Sequence, residues 1–374
     1  MLIRASKAAR YVRAGTFAFA LSPFLYASPA LAVYVQTNLV SSVPGLAALT
    51  DPDLVNAWGI AHSGTSPWWV ADNGTAKSTL YTGAGAKQGL VVTIPGDDAA
   101  PTGMVFNPNS ASFGGSRFIF AGEDGHITAW SSANGTTAVT AATSAGSVYK
   151  GLAIGNNGTA DHLYATDFVN GRVDVYDSGF SKVSLPGNFT DPNLPAGYGP
   201  FGIQNLGGHI FVTYAKQSGT EDEVDGPHLG FVSEFDANGH FIQRIASQGT
   251  LNAPWGITQA PGNFGPFSNA LLIGNFGDGT INAFDPVTHL FEGRLHDVNG
   301  ILQIEGLWGL GFGNGGNAGP TDSLFFAAGI EDEAEGLFGD IRFASVPEPS
   351  TFAIFAAGLL ALFRLRRRAL KVVR

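Results

Sequence analysis

A sixfold repeat constrains the fold of this chain more than any other feature of its sequence. One phrase, a residue followed by glycine and an apolar residue, recurs with its glycine at positions 59, 103, 151, 202, 256 and 309. Two further apolar runs separated by short polar turns follow each phrase, as in "WWVADNGT" and then "STLYTG". Repeats of this length that hold several short strands are typical of propellers, so the sequence predicts an all-β fold, a six-bladed β-propeller.

The composition of the phrase suggests how the blades pack. Glycine would let the innermost strand of each blade approach the crowded axis, where a side chain would not fit. The aromatic residue before several of these glycines, such as Trp58 or Trp308, is expected to wedge between adjacent blades. The run from Val33 to Val40 is predicted to be a lone strand that closes the ring by pairing with the last blade, which leaves few edges exposed.

The N-terminus has the pattern of a secretory signal peptide. Basic residues stand at positions 4, 7, 10 and 13, and the apolar stretch "GTFAFALSPFLYA" follows them. Ala30 and Ala32 then fit the small-residue pattern of a cleavage site. The sequence therefore predicts a signal helix within residues 1–32, and the propeller is expected to occupy residues 33–345.

The C-terminus combines three features in a fixed order. A short polar motif consists of Val346, Pro347, Glu348 and Pro349. A run of apolar or near-apolar residues follows from Thr351 to Phe363, shorter than the roughly 20 residues that span a bilayer. A basic cluster that includes Arg366, Arg367 and Arg368 ends the chain. We expect residues 346–374 to form a separate tail with a short hydrophobic helix.

This tail resembles the PEP-CTERM sorting signal of Gram-negative bacteria, in which the same motif, apolar helix and arginine cluster occur in the same order. The resemblance implies a transient anchor in the inner membrane that an exosortase-type protease cuts near Pro347–Pro349. It also implies release to the cell envelope or to an extracellular polysaccharide matrix. The partners expected from it are the protease, the inner membrane and extracellular polysaccharide.

Charge and cysteine content exclude several classes of function. Residues 1–32 carry four basic residues, and residues 347–374 carry six basic residues and one acidic residue. The remaining body therefore holds 10 basic and 29 acidic residues, a net charge of −19, which disfavours nucleic acid as a partner. The chain has no cysteine, which excludes disulfides, cysteine-bound zinc and thiol nucleophiles.

The body of the chain also resembles a family of uncharacterised bacterial propellers that often carry the same sorting tail. The matching phrases are "YKGLAI", "NGRVDVYD", "FGIQNLGGHIFVTYAKQ", "NAPWGI", "IGNFGDGTINAFDP" and "GLWGLGFGNGG". They are spread over most of residues 34–343. The resemblance implies the propeller fold and adds no activity.

Acidic residues follow the second apolar run of every repeat, and a propeller would bring these turns to one face. Carboxylate and amide oxygens are the ligands that Ca²⁺ selects. The candidate ligands are Asp72, Asp124, Asp167, Asn275 and Asp278. Solvated turns provide the alternative explanation, because Asp and Asn are common in exposed turns.

Two functions therefore remain open. The first is an exported, non-catalytic binding or structural module that engages matrix polysaccharide or another envelope protein. The second is a metal-dependent hydrolase or lactonase of the six-bladed gluconolactonase type, in which an axial ion would activate water. The second rests on analogy of fold, and the chain has none of the usual catalytic motifs.

Overall fold

The innermost strands of six blades form a closed ring. In the computed structural model, which describes residues 32–96 and 98–345, each of these strands contacts the innermost strand of the next blade, and the sixth contacts the first. The innermost strands of blades 1 to 6 are Ala57–Ala61, Pro101–Phe106, Tyr149–Asn156, Tyr198–Leu206, Pro254–Gln259 and Leu307–Phe312. The predicted six-bladed propeller is confirmed. The two predicted terminal helices lie outside the described residues.

Three further antiparallel strands complete each blade outward from the axis. The second strands are Trp68–Asp72, Phe118–Gly122, Asp161–Asp167, His209–Gln217, Leu271–Asn275 and Ser323–Ile330. The third strands are Lys77–Tyr81, His126–Trp130, Arg172–Tyr176, Phe231–Phe235, Ile281–Phe284 and Glu335–Ser345. The outermost strands are Val92–Thr93, Val139–Thr143, Lys182–Val183, Phe241–Ser247, Phe291–Arg294 and Ala32–Ser41.

Smaller elements lie outside this pattern. Leu49–Thr50 pairs in parallel with the end of strand Ala32–Ser41, and Glu223–Val224 pairs with the second strand of blade 4. His296–Asp297 and Gly300–Ile301 form a short hairpin after blade 5. Single 3₁₀ turns occur at Asn73–Thr75, Phe113–Gly115, Ser132–Asn134 and Gly265–Phe267. No helix in the part of the chain that the structure describes has the length and apolar character to cross a membrane.

Both ends of the described chain meet in blade 6. Strand Ala32–Ser41 pairs antiparallel with Glu335–Ser345, so that Ala32 lies opposite Ser345 and Ser41 opposite Leu337. The register shifts once along this pair, between Asn38 and Val40. The expectation that the early strand closes the ring is therefore confirmed, and the closing hydrogen bonds join residues about 300 positions apart.

Burial between neighbouring blades explains why the strands are apolar rather than strictly alternating. Every residue of the second strands of blades 1 and 6 is buried, because both faces of each blade are covered. Between these two blades, Trp68 packs against Phe325 and Phe338, and its indole N–H donates to the carbonyl of Ala318 at 2.8 Å. Aromatic contacts and a buried hydrogen bond therefore hold blade 1 against the closing blade.

The repeated glycines allow the innermost strands to approach one another backbone to backbone. A Cβ at any of the six would lie 2.0–2.8 Å from a backbone atom of the next blade, closer than real Cβ atoms come. The tightest case is Gly202, whose Cβ would lie 2.0 Å from the carbonyl oxygen of Trp255. The glycines are therefore required by contact with the next blade in the ring.

The aromatic residues before these glycines do not wedge between adjacent blades, so that expectation is wrong. Trp58 of blade 1 contacts Trp255 of blade 5, with ring centroids 6.2 Å apart, and Phe201 of blade 4 contacts Trp308 of blade 6 at 5.6 Å. Blades that are not neighbours in the ring can touch only across the axis. We call the cluster at this position the aromatic plug; its members are Trp58, Phe168, Phe201, Trp255, Phe276 and Trp308.

Replacing a ring glycine should destabilise the propeller because the next blade has no room to yield. We expect Gly202→Ala to lower the free energy of unfolding by about 1–3 kcal/mol, the usual cost of overpacking. Gly89→Ala is the matched control, because a Cβ there would meet no atom within 4 Å. Denaturant unfolding of both variants checks this, and equal losses of stability would contradict the packing role of the ring glycines.

Candidate functional site

A group of polar side chains lies over the aromatic plug, at the end of the axis where the innermost strands begin. We call this group the axial cluster; its members are Asn56, Asn73, Glu123, Lys150, Glu223 and Glu333. They come from the segments that follow the second strands and from the starts of the innermost strands, where Asn56 directly precedes one strand and Lys150 is the second residue of another. Residues distant in sequence meet here because every blade directs these two segments to the same face.

Hydrogen bonds join most of the cluster into one chain across four blades. The Asn56 amide donates to Glu333 Oε2 at 2.6 Å and to Asn73 Oδ1 at 3.3 Å. The Asn73 amide donates to Glu123 Oε2 at 2.9 Å, and Lys150 Nζ donates to Glu123 Oε1 at 2.5 Å. The blades connected in this way are, in order, 6, 1, 2 and 3.

The aromatic plug forms the floor of the cluster and takes part in its hydrogen bonding. The indole N–H of Trp58 donates to Asn56 Oδ1 at 2.8 Å, and that of Trp255 donates to the carbonyl of Lys150 at 2.9 Å. The Lys150 ammonium lies 5.2 Å from the centroid of the Trp58 ring, within cation–π range. Within this floor Trp58 stacks on Trp308, with ring centroids 3.6 Å apart.

Burial and charge perturb the ionisable groups of the cluster. Burial alone would lower the pKa of Lys150, but the carboxylates of Glu123 and Glu223 outweigh it and hold that pKa above its usual value. Burial raises the pKa of Glu223 to about 7, against the attraction of Lys150. Burial also raises the pKa of Glu333, although the hydrogen bond from Asn56 opposes the shift. Glu223 can therefore exchange a proton near neutral pH.

The backbone that positions Glu333 is strained. Glu331, Asp332 and Glu333 have φ of 54°, 53° and 66°, three consecutive non-glycine residues in the left-handed region, and Asn56 has φ of 47°. Each such residue costs of order 1–3 kcal/mol unless its surroundings enforce the conformation, and such residues are enriched at functional sites. The hydrogen bond between Asn56 and Glu333 joins two of these strained positions.

Three of the five candidate metal ligands lie apart from the axis. Asp72 lies on the same buried strand face as Trp68 and Val70, between blades 1 and 6. Within the described part of the chain, neither of its carboxylate oxygens has a hydrogen-bond partner. Asp124 accepts from the backbone N–H of His126 at 3.0 Å, and Asp167 accepts from Ser147 Oγ at 2.8 Å. Each of these three carboxylates therefore has separate local surroundings, and they do not meet in one group of ligands.

The other two candidates are brought together. The Asn275 amide donates to Asp278 Oδ1 at 3.0 Å and to the carbonyl of Thr250 at 2.8 Å, while Asp278 also accepts from Thr280. In residues 32–96 and 98–345, no three His, Asp or Glu side chains are grouped closely enough to hold a metal ion. Calcium binding stays a prediction from the sequence, without a preformed group of ligands to carry it.

Sequence reasoning missed Lys150 as a site residue, although a signal for it exists. It occupies the position before the glycine in the third repeat, where four of the other five repeats have an aromatic residue and one has threonine. Because that position contributes the axial tryptophans, a lysine there brings a single positive charge to the centre of an acidic face. The residues of the predicted sorting motif and Ala30 lie outside the described residues, and Ala32 begins the closing strand.

The buried carboxyl of Asp72 should make stability depend on pH. Burial, and then the charges of Asp51 and Asp53, raise its pKa well above the usual range. A raised folded-state pKa means that its contribution is complete below the unfolded pKa near 4 and is lost as pH rises through the folded pKa, by up to ~1.4 kcal/mol per pH unit. We expect Asp72→Asn to remove this decline, as measured by denaturant unfolding at several pH values.

The control for this measurement is Asp285→Asn. Asp285 is partly exposed, and backbone N–H groups of Thr288 and Val287 lower its pKa, so its own contribution to stability rises with pH instead. An unchanged decline in Asp72→Asn would show that Asp72 is not the group responsible.

Comparison with known proteins identifies the tail and the fold. Residues 345–368 match the PEP-CTERM protein-sorting motif, which confirms the predicted sorting signal and marks the chain as an exported protein. A crystal structure of a protein of unknown function from Bacteroides thetaiotaomicron superposes with a TM-score of 0.56 at 11% identity, covering 83% of this chain and 76% of that one. At that identity the likeness concerns the fold alone.

Two relatives extend over nearly the whole propeller. One uncharacterised protein of Acanthamoeba polyphaga mimivirus is 32% identical over 341 residues, which cover 83% of this chain and 86% of the relative. A second uncharacterised protein of the same virus is 31% identical over 325 residues, covering 81% of this chain and 78% of the relative. The chain therefore belongs to the same protein family as these two mimivirus proteins.

Proposed function

We propose that this protein is an exported propeller that acts in the cell envelope or the extracellular polysaccharide matrix as a non-catalytic binding or structural module. The observation that carries the proposal is the position of the sorting motif. The motif begins at residue 345, where the last strand of the ring, Glu335–Ser345, ends. The sorting motif therefore follows directly after the closed propeller, which is the part of the chain that we propose it directs to its destination.

The axial cluster supports a binding role over turnover. Lys150, Glu123, Asn73, Asn56 and Glu333 already satisfy one another through hydrogen bonds. The channel beyond the aromatic plug narrows to a cavity of about 40 Å³, lined by all six innermost strands. The side chains of the axial cluster are already held in place by hydrogen bonds to one another, above the aromatic plug. Such a surface suits the binding of a partner, because the protein needs little reorganisation when the partner binds.

Processing by an exosortase-type protease follows from the motif, and the finer steps are part of the proposal. A signal peptide with Ala30 and Ala32 at its cleavage site would start export, and cleavage after Ala32 would leave nearly all of the closing strand in the mature chain. The tail would hold the protein in the inner membrane until cleavage near Pro347–Pro349. The net negative charge of the body disfavours nucleic acid as a partner in this scheme.

The tail should be removed in the native host, and removal should require its arginines. We expect the intact mass of the exported protein to show loss of the residues after about Pro349. The triple variant Arg366→Gln, Arg367→Gln and Arg368→Gln should keep its tail and remain with the inner membrane, because basic residues fix the cytoplasmic end of such a segment.

Arg374→Gln is the matched control, since Arg374 is basic but lies outside residues 345–368. It should be processed like the unaltered chain. Recovery of exported wild-type protein that still ends at Arg374 would contradict processing of the tail.

A second candidate function, hydrolysis, is favoured by the proton affinity of Glu223. A carboxyl with a pKa of about 7 beside a lysine has the properties of a general acid or base at neutral pH. A binding module should show no turnover of lactones or esters. Turnover that falls about 100-fold or more in Glu223→Gln, with an inflection near pH 7, would instead establish hydrolysis.

Glu221→Gln is the control for this test, because Glu221 is an exposed residue of the same acidic segment. It should leave any turnover unchanged. Equal loss in both variants would place the effect in the folding of the segment rather than in the chemistry of Glu223.

A further inference from the structure

A pocket of about 460 Å³ lies between blades 6 and 1, away from the axial cluster. Strand Ala32–Ser41 contributes Leu39 to its wall, and strand Glu335–Ser345 contributes Asp340 and Arg342. The turn after the third strand of blade 1 adds Thr82, and the loop between the first two strands of blade 6 adds Asn317 and Pro320. Its volume falls in the range of about 300–1,000 Å³ that small-molecule sites occupy.

The ionisable groups of this pocket neutralise each other. Among the lining residues that the structure describes, Asp340 and Arg342 are the only ionisable side chains, and Arg342 Nε donates to Asp340 Oδ2. A bound ion of either sign would therefore meet one attractive and one repulsive group. The pair favours a neutral ligand that both donates and accepts hydrogen bonds.

The Asp340 carboxylate also lacks a hydrogen bond that such a ligand can supply. Its side chain is 1% exposed, and its second oxygen, Oδ1, has no donor in the described part of the chain. An unsatisfied buried carboxylate oxygen is costly, and native structures seldom leave one without a reason. Rotation about the soft terminal torsion of an aspartate would present either oxygen to the pocket.

The remaining wall is mixed in character. Thr82 and Asn317 offer a hydroxyl and an amide, each able to donate and accept, while Leu39 and Pro320 offer apolar surface. Arg342 is half exposed, so its other N–H groups are accessible to a ligand. The polar groups of this wall can bond the hydroxyls at the rim of a sugar ring. Its apolar surfaces can contact the C–H groups on the faces of the ring.

We propose that this pocket binds a neutral sugar unit, either free or within a polysaccharide. This inference rests on the proposed function and names the ligand class through which the module would engage the matrix. Asp340 accepts from a sugar hydroxyl, and Arg342, Asn317 and Thr82 complete the hydrogen bonds at the rim. Leu39 and Pro320 contact the C–H face.

Binding at this pocket is coupled to closure of the ring. Its wall includes residues from both ends of the described chain, Leu39 near one end and Arg342 near the other, so the pocket exists only when those ends are paired. A ligand that binds only the closed state stabilises it by mass action. Sugar binding should therefore raise the temperature of thermal unfolding in proportion to the logarithm of sugar concentration.

The test is sugar binding by the full-length chain, measured by calorimetry and by thermal unfolding. The probes are glucose, galactose, mannose and N-acetylglucosamine, with glucuronate as the acidic comparison. We expect at least one neutral sugar to bind, and Arg342→Gln and Asn317→Ala each to weaken it about tenfold, the effect of losing one charged or bidentate hydrogen bond. Both variants change exposed side chains, so they should fold.

Arg294→Gln provides the matched control, because Arg294 ends the outermost strand of blade 5 and does not line the pocket. It should bind sugar like the unaltered chain. Absence of binding to every neutral sugar, binding of glucuronate alone, or equal affinity in Arg342→Gln and the wild type would each overturn the assignment of this pocket.

These outcomes are separable from failure of the proposed function. If the exported protein stays with matrix polysaccharide while Arg342→Gln has no effect, the binding module stands and the pocket assignment falls. If the protein binds a neutral sugar through Arg342 but is recovered free of the matrix and the envelope, the pocket stands and the proposed site of action falls.

Discussion

The backbone contact between neighbouring innermost strands is the constraint on which the rest of this structure depends. Six strands meet closely enough that any side chain at the repeated glycines would collide with the next blade. This approach brings the residues just before the glycines to the axis, where four aromatic side chains and Lys150 meet. The same three-residue motif therefore accounts both for the close packing of the ring and for the residues at its centre.

The aromatic plug and the axial cluster depend on each other. Polar groups held over an apolar floor are partly removed from water, and that desolvation raises the pKa values of Glu223 and Glu333. Lys150 offsets part of this cost by pairing with Glu123, and the indole N–H of Trp58 satisfies Asn56. An unpaired charge at this place would be strongly destabilising, so removal of Glu123 would leave the buried Lys150 ammonium without its ion-pair partner.

The sequence predicted the fold well because blade number and ring closure follow from period and pattern. It predicted the site less well because a repeat assigns a residue to a face of the propeller but not to a distance from the axis. Asp72 and Glu123 both follow second strands, yet Asp72 is buried between blades 1 and 6 whereas Glu123 reaches the axis. That difference depends on side-chain direction within each turn. The pocket beside Asp340 was beyond sequence reasoning, since its wall combines four segments from both ends of the described chain.

The position of strand Glu335–Ser345 within its blade determines how this protein would respond to tension on its C-terminal tail. This strand is the third of four in its blade, with hydrogen-bonded neighbours on both sides, Ser323–Ile330 and Ala32–Ser41. Tension applied beyond Ser345 would pull along the strand, so two ladders of hydrogen bonds would share the load in shear. An edge strand would instead be held by one ladder alone. If the tail tethers the protein as proposed, two ladders would resist such tension together, and cleavage beyond Ser345 would release the propeller without unfolding this strand.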